Sequence, residues 1–144
     1  MAAGMDVHAL DGIALFADLT PAQIQKVEHV FEEHWFGAGE RAQRQGMPSS
    51  GFYVILSGEA ERRVDGEPIS GSGPDGRAGV LRRGDWFGEL AIFFDEPALT
   101  DVVAVQSLHT IVLRPAELTA FLHDYPQVMY RLLLGEARRL RARR

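Results

Sequence analysis

The sequence has 144 residues, of which 46% are hydrophobic, and this length is typical of a single domain that can bury a core without disulfides. It contains no cysteine, which excludes disulfides and thiolate metal sites. Its apolar runs are too short to span a membrane, and the N-terminus lacks the pattern of a signal peptide, so we expect a cytoplasmic protein.

The net charge of −5 is unevenly distributed along the chain. Because so many of the basic residues lie at the C-terminal end, the rest of the chain is strongly acidic and is not expected to bind nucleic acid. The basic end itself is typical of a solvated helix terminus, where cations complement the helix dipole. These terminal residues are Arg138, Arg139, Arg141, Arg143 and Arg144.

The first part of the chain, residues 7–33, is predicted to be helical. Thr20 followed by Pro21 is typical of a helix start, with the threonine as N-cap. Apolar residues then recur at helical spacing from Ile24 to Phe31. His29 and His34 flank this helix, but isolated histidines are typical of a helix surface, and we predict no metal site.

Residues 34–114 are predicted to form short strands separated by glycine-rich turns, the pattern of an all-β roll. The strand from Phe52 to Leu56 is apolar at every position, which predicts that both of its faces are covered. Asp65-Gly66 is a strong hairpin signal. Residues 70–79 are rich in glycine and serine and predict a flexible loop.

Two helices are predicted over residues 115–143. Pro115 suits the first position of one helix, and Tyr125-Pro126 separates it from the last helix, predicted from Val128 to Arg143. The apolar residues of that last helix lie along one side, as a helix–helix contact requires. They are Met129, Leu132, Leu133, Ala137 and Leu140.

The most informative stretch of the sequence is Asp85–Pro97, which combines a strand end, a glycine, a carboxylate, a short apolar helix and a proline. Gly88 allows a backbone bend and close approach of a ligand. The first amides of the short helix lack internal partners and favour an anionic group. Glu89 offers an acceptor for sugar-like hydroxyls.

These residues carry a resemblance to a known family. Phe87-Gly88-Glu89-Leu90-Ala91, with Pro97 following, resembles the phosphate-binding cassette of the cyclic nucleotide-binding domain family, and Gly51–Ala60 resembles that family's central barrel strand. The similarity extends over roughly residues 15–141. It implies one mainly β domain over residues 1–144, a β-roll (jelly-roll) with N-terminal and C-terminal helices. The resemblance implies an effector domain of the catabolite-activator-like kind, and we expect these residues to include no helix-turn-helix domain.

The resemblance also implies roles for individual residues. Glu89 would bind the ribose 2′-hydroxyl, and the amides of Gly88, Leu90 and Ala91 would bind the phosphate. Tyr130 is the one candidate for stacking on the base. The ligand would be cyclic AMP or cyclic GMP.

The sequence departs from the family pattern directly after the proline of the cassette. The family places there an arginine that pairs with the cyclic phosphate, whereas this chain has Ala98, followed by Leu99. Loss of one charged partner of a buried pair costs about 3–5 kcal/mol. Asp101, close by, would repel an anion if it faced the pocket. We therefore predict weak or lost binding of cyclic nucleotides.

No catalytic motif is present: the sequence has no cysteine nucleophile, no Gly-x-Ser-x-Gly elbow and no Walker phosphate loop. A binding module is therefore predicted, and three interpretations of its function remain. The domain is a cyclic nucleotide sensor with a weakened phosphate site, or it senses a less anionic or larger ligand, or its pocket is vestigial and it is a dimeric scaffold. The predicted ligand-binding residues are Phe87, Gly88, Glu89, Leu90, Ala91, Ala98, Leu99 and Tyr130. We predict a homodimer through the last helix, with its contact centred on Leu133 and Ala137.

Overall fold

The computed structural model describes residue 5, residues 8–71 and residues 79–142, without the side chain of residue 142. Most of the predicted loop at 70–79 lies outside the described residues. The described part of the chain is mainly antiparallel β-structure with helices at both ends, which confirms the predicted fold class. The strands are β1 (Glu32–Phe36), β2 (Arg41–Gln43), β3 (Phe52–Ser57), β4 (Ala60–Val64), β5 (Glu67–Pro68), β6 (Val80–Leu81), β7 (Trp86–Phe87), β8 (Asp101–Ala104) and β9 (Leu108–Leu113).

The N-terminal helical region is shorter than predicted. A 3-10 turn at Ala14–Phe16 precedes helix α1, Pro21–Val30, which begins as expected with a capping box between Thr20 and Gln23. Phe31 then turns to extended backbone, and β1 begins at Glu32. The predicted helical limit at residue 33 was therefore wrong. The apolar residues keep helical spacing as far as Phe31, so their spacing alone does not show that the backbone becomes extended there.

The strands form two sheets that face each other. One has the order β1-β9-β3-β7, and the other has the order β2-β8-β4-β5, with β6 also paired to β4. The turn between β4 and β5 is the predicted Asp65-Gly66 turn, in which both residues have positive φ, 53° and 83°. Such a turn matches the twist of a hairpin.

Strand β3 separates two hydrophobic cores, which confirms that both of its faces are covered. Phe52, Val54 and Leu56 pack on the helical side of the sheet. Tyr53 and Ile55 point into the space between the two sheets. Side chains alternate across a strand, so one apolar run serves both cores.

Three α-helices and a 3-10 turn at Pro115–Glu117 complete the described chain. Helix α2 (Glu89–Phe94) follows β7, while α3 (Leu118–Asp124) and α4 (Pro126–Ala142) cover the sheet of β3. Helix α4 begins at Pro126, two residues earlier than predicted. None of the helices in the described residues is long and apolar enough to cross a membrane.

An ion pair attaches α4 to the N-terminal segment. Arg131 donates hydrogen bonds from Nε to Asp18 Oδ2 at 2.7 Å and from Nη2 to Asp18 Oδ1 at 2.9 Å. The hydrogen bonds to Arg131, with its positive charge, lower the pKa of Asp18. The pair fixes one side of α4, whose C-terminal half lies near α2.

Candidate ligand-binding site

The site is organised by the turn that links β7 to α2. Gly88 has a φ of 95°, and a Cβ at this position would lie 2.0 Å from the carbonyl oxygen of Gly51. Both the backbone conformation and the close approach to Gly51 therefore require glycine. The turn directs the next residue, Glu89, into the protein rather than into solvent.

Glu89 is fully buried and is contacted from two directions. The indole Nε1 of Trp86 donates a hydrogen bond to Glu89 Oε2 at 3.2 Å. Arg139 of α4 places its Nη1 atom 3.7 Å from the same oxygen. Arg139 also pairs with Glu136 and stacks on Trp86, with its Cζ atom 4.4 Å from the ring centroid. The cassette carboxylate is thus connected directly to the last helix.

The segment after α2 is held by the turn at residues 46 and 47. The amide of Ala98 donates to the Met47 carbonyl at 2.9 Å, and the amide of Gly46 donates to the Ala98 carbonyl at 2.8 Å. Ala98 is 6% exposed. These bonds fix the backbone at the position where the sequence departs from the family pattern.

Asp101 does not line the cavity next to this segment. Its Oδ1 accepts a hydrogen bond from the Gln45 amide at 2.7 Å, and its Oδ2 lies 3.8 Å from Arg41. The carboxylate that could have repelled an anion therefore serves the contact between β2 and β8.

A cavity of about 260 Å³, here called the cassette cavity, lies between α2, the segment after it and the sheet that contains β4. Most of the predicted ligand-binding residues line it. Tyr130 does not line it; this residue is 58% exposed on α4, and its stacking on a base stays a prediction. The lining residues are Gln43, Arg62, Phe87, Gly88, Glu89, Leu90, Ala91, Phe94, Glu96, Pro97, Ala98 and Leu99.

Two polar lining residues from outside the cassette segment, Arg62 and Gln43, were missed by the sequence analysis. They come from β4 and β2, far from the cassette in sequence. The alternation of side chains along β4 offered a signal. Because side chains two residues apart point to the same face of a strand, Arg62 shares the face of Ala60. Both Ala60 and Arg62 are buried.

The described residues hold no group of three or more histidine, aspartate or glutamate side chains arranged for a metal ion. His29 and His34 lie on different elements, α1 and β1. The His34 ring packs against Phe36, with ring centroids 4.4 Å apart. The polar side chains that line the cassette cavity are those of Gln43, Arg62, Glu89 and Glu96.

Comparison with known families identifies this arrangement. The model of the cyclic nucleotide-binding domain matches residues 33–125, well over half of the chain. The chain belongs to the cyclic nucleotide-binding domain family. The matched residues include segment 87–97, whose role as the phosphate-binding cassette stays a prediction from the residues around Gly88.

Similar curated proteins carry this family's domain as one part of a longer chain. A cAMP-dependent protein kinase regulatory subunit from Emericella nidulans is 34% identical over 97 residues, which are 66% of this chain and 21% of the relative. A CRP-like cAMP-activated global transcriptional regulator from Mycobacterium tuberculosis is 27% identical over 130 residues, which are 88% of this chain and 55% of the relative. The chain thus spans between about a fifth and about half of these relatives.

Solved structures of cyclic nucleotide-binding domains share the fold. The catabolite activator protein of Thermus thermophilus superposes with a TM-score of 0.74 at 23% identity, covering 89% of this chain and 58% of that chain. The guanosine-bound regulatory subunit of a cAMP-independent protein kinase A from Trypanosoma cruzi superposes with a TM-score of 0.66 at 20% identity. That match covers 91% of this chain and 48% of the other.

Proposed function

We propose that this protein is a non-catalytic regulatory domain that binds a nucleotide-like small molecule in the cassette cavity. The observation that carries the proposal is the cavity itself, where the fully buried Glu89 stands on the wall beside the Gly88 turn. A buried carboxylate is a strong acceptor for hydroxyl donors, such as those of a ribose. The similar proteins named for cyclic AMP point to the same class of ligand.

We infer that binding of cyclic AMP is weak. Ala98 lies on the cavity wall, and a methyl group supplies no charge-assisted hydrogen bond to a phosphate. The backbone of Ala98 is held in this position by its hydrogen bonds to Met47 and Gly46. We expect a dissociation constant above about 1 μM, which corresponds to less than about 8 kcal/mol of binding free energy.

A second candidate ligand is an uncharged nucleoside. The same methyl group of Ala98 favours it, because no phosphate is then left without its partner. The Trypanosoma cruzi regulatory subunit of the same fold is described as bound to guanosine. The two ligand classes differ by one phosphate, which makes them easy to compare directly.

Calorimetry, supported by a thermal-shift screen, tests the proposed function. The panel contains cyclic AMP, cyclic GMP, cyclic dinucleotides, adenosine and guanosine. We expect saturable binding of at least one nucleotide in the micromolar to millimolar range, with a rise in melting temperature. If no compound binds, the pocket is vestigial, and the interpretation of the domain as a dimeric scaffold replaces the proposal.

We also propose that two copies of the protein associate through α4. The exposed side chains of Met129, Leu133 and Leu140 line an apolar groove of about 600 Å³ between α4, α3 and α2. Leu133 and Leu140 are 63% and 68% exposed, a large apolar surface for a helix that already covers the sheet. A second α4 offers the same stripe and would cover it. A cytoplasmic location stays a prediction from the short apolar runs and the lack of a signal-peptide pattern.

A further inference from the structure

The stretch of sequence that contains the predicted cassette is acidic throughout. From Gly84 to Leu113 the chain has five acidic residues and no lysine or arginine. The family pattern places a cation in the middle of this stretch, where the chain has Ala98. Two of the five carboxylates line the cassette cavity. The five residues are Asp85, Glu89, Asp95, Glu96 and Asp101, and the two that line the cavity are Glu89 and Glu96.

The two cavity carboxylates have different surroundings. Glu89 is fully buried and is contacted by Trp86 and Arg139. Glu96 is exposed and lies two residues after the end of α2. Within the described part of the chain, its carboxylate has no ion pair or hydrogen bond. Glu96 therefore presents its charge at the solvent side of the cavity.

The charged side chains around the cavity carry an excess of negative charge. Those that line it in the described residues are one arginine, Arg62, and the two glutamates, Glu89 and Glu96. Arg139 contacts Glu89 from outside the lining, but it also pairs with Glu136 and so adds no net positive charge. A phosphate brings further negative charge into these surroundings, whereas an uncharged nucleoside brings none.

Glu96 also lies close to the backbone that is predicted to bind a phosphate. Its amide donates a hydrogen bond to the Ala91 carbonyl at 3.1 Å, so the chain folds back against α2. Ala91 is one of the predicted phosphate-binding residues, and both residues line the cavity. A cavity of about 260 Å³ is comparable in width with the electrostatic screening length of about 8 Å at physiological ionic strength. The charge of Glu96 is therefore only partly screened from a phosphate bound at α2.

We propose that Glu96 makes the cassette cavity select an uncharged nucleoside over a nucleotide. The inference rests on the proposed function, and it specifies both the class of ligand and the residue that sets it. In the proposed function Glu89 accepts a hydrogen bond from a ribose hydroxyl, which both classes of ligand carry. The phosphate is the group that distinguishes them, and repulsion by Glu96 adds to the missing guanidinium at position 98.

The test uses adenosine, cyclic AMP and adenosine 5′-monophosphate, whose negative charge increases in that order. Calorimetry on the full chain should show affinity falling in the same order, and the guanine series is measured in the same way. Glu96→Gln should strengthen binding of cyclic AMP by about two- to fivefold, the range for exposed charges. The gain should be larger for the monophosphate and absent for the nucleoside. It should shrink at high salt, because salt screens exposed charges.

Asp95→Asn is the matched control. Asp95 is the neighbouring residue and is likewise exposed, but it does not line the cassette cavity. Its φ is 50°, a left-handed conformation that asparagine also adopts, so the fold should be preserved. The same loss of one negative charge should give a clearly smaller gain here than in Glu96→Gln. Glu96→Lys, which reverses the charge, should give a larger gain than Glu96→Gln.

Two kinds of result would overturn the inference and leave the proposed function standing. One is a wild-type protein that binds cyclic AMP more tightly than adenosine. The other is a Glu96→Gln protein whose affinities are unchanged, change equally for all three ligands, or match those of Asp95→Asn. If no compound of either series binds, the proposed function fails together with the inference.

Discussion

Gly135 of α4 lies against the indole ring of Trp86, so closely that a Cβ at position 135 would be 2.4 Å from the Trp86 Cη2 atom. One turn further along α4, Arg139 stacks on the same ring. Trp86 in turn donates its hydrogen bond to Glu89. The last helix therefore reaches Glu89 on the wall of the cassette cavity through Trp86 as well as through Arg139, and its position depends on the absence of a side chain at residue 135.

The first prediction concerns Gly135→Ala. In a helix interior this change normally stabilises a protein by about 0.5–1 kcal/mol, but overpacking against a buried ring costs about 1–3 kcal/mol. We expect a net loss of stability, seen as a lower melting temperature. In a Trp86→Phe background, which removes the outer ring atoms, the same change should cost less. A higher melting temperature for Gly135→Ala alone would contradict the close contact.

The second prediction concerns Ala98→Arg. If the cavity otherwise accepts a cyclic nucleotide, a guanidinium at position 98 should strengthen binding of cyclic AMP by about tenfold or more, because hydrogen bonds to charged groups contribute about 1.5–3 kcal/mol. Calorimetry measures the change. Ala98→Gln is the control for side-chain length without charge and should give little gain. An unchanged affinity in Ala98→Arg would favour a vestigial pocket or a ligand of another class.

The third prediction separates the structural and ligand-binding roles of Glu89. Glu89→Ala should lower the melting temperature without ligand, because a buried donor on Trp86 that loses its acceptor costs about 1–3 kcal/mol. Glu89→Gln keeps an acceptor for Trp86 and should largely preserve stability. It should still weaken nucleotide binding, because a neutral amide is a weaker acceptor for ribose hydroxyls. Full nucleotide affinity in Glu89→Gln would limit this residue to a structural role.

The fourth prediction concerns the dimer. Light scattering on the parent protein at tens of micromolar should give the mass of two chains, and Leu133→Glu should give one. Arg138→Glu, an exposed change on the same helix, is the matched control and should leave the mass unchanged. A monomeric parent protein at that concentration would show that the apolar groove does not pair with a second copy.

The fifth prediction follows from the lowered pKa of Asp18. Its hydrogen bonds to Arg131, followed by the charge of Arg131, stabilise the ionised carboxylate in the folded state. The resulting stability is present above the ordinary pKa of 3.8 and is lost as the pH falls through the lowered folded value. Asp18→Asn should therefore melt below the wild type at neutral pH, and the gap should close on acidification below 3.8. Arg131→Met should show the same pH profile, whereas a gap that is constant with pH would exclude the ion pair as its cause.

The sequence was sufficient where structure depends on neighbouring residues. Thr20 and Gln23 form their capping box within one helical turn, and Asp65-Gly66 closes its hairpin through its own backbone preference. The apolar run of β3 predicted burial on both faces because side chains alternate along any strand. The cassette turn at Gly88 could be predicted from the sequence for the same reason, because its backbone conformation requires a glycine regardless of the surrounding residues.

The tertiary structure decided which distant residues share the cavity. Arg62 was given no role by the sequence analysis, and Asp101 was treated there as an obstacle to an anion. The pairing of β4 with β8 brings Arg62 to Thr100 and the cavity, while the irregular pairing of β2 with β8 engages Asp101 with Gln45. The contact of Gly135 with Trp86 likewise depends on how α4 docks on the sheet. Each of these contacts is set by strand register or helix docking, which long-range packing determines and local sequence preference does not.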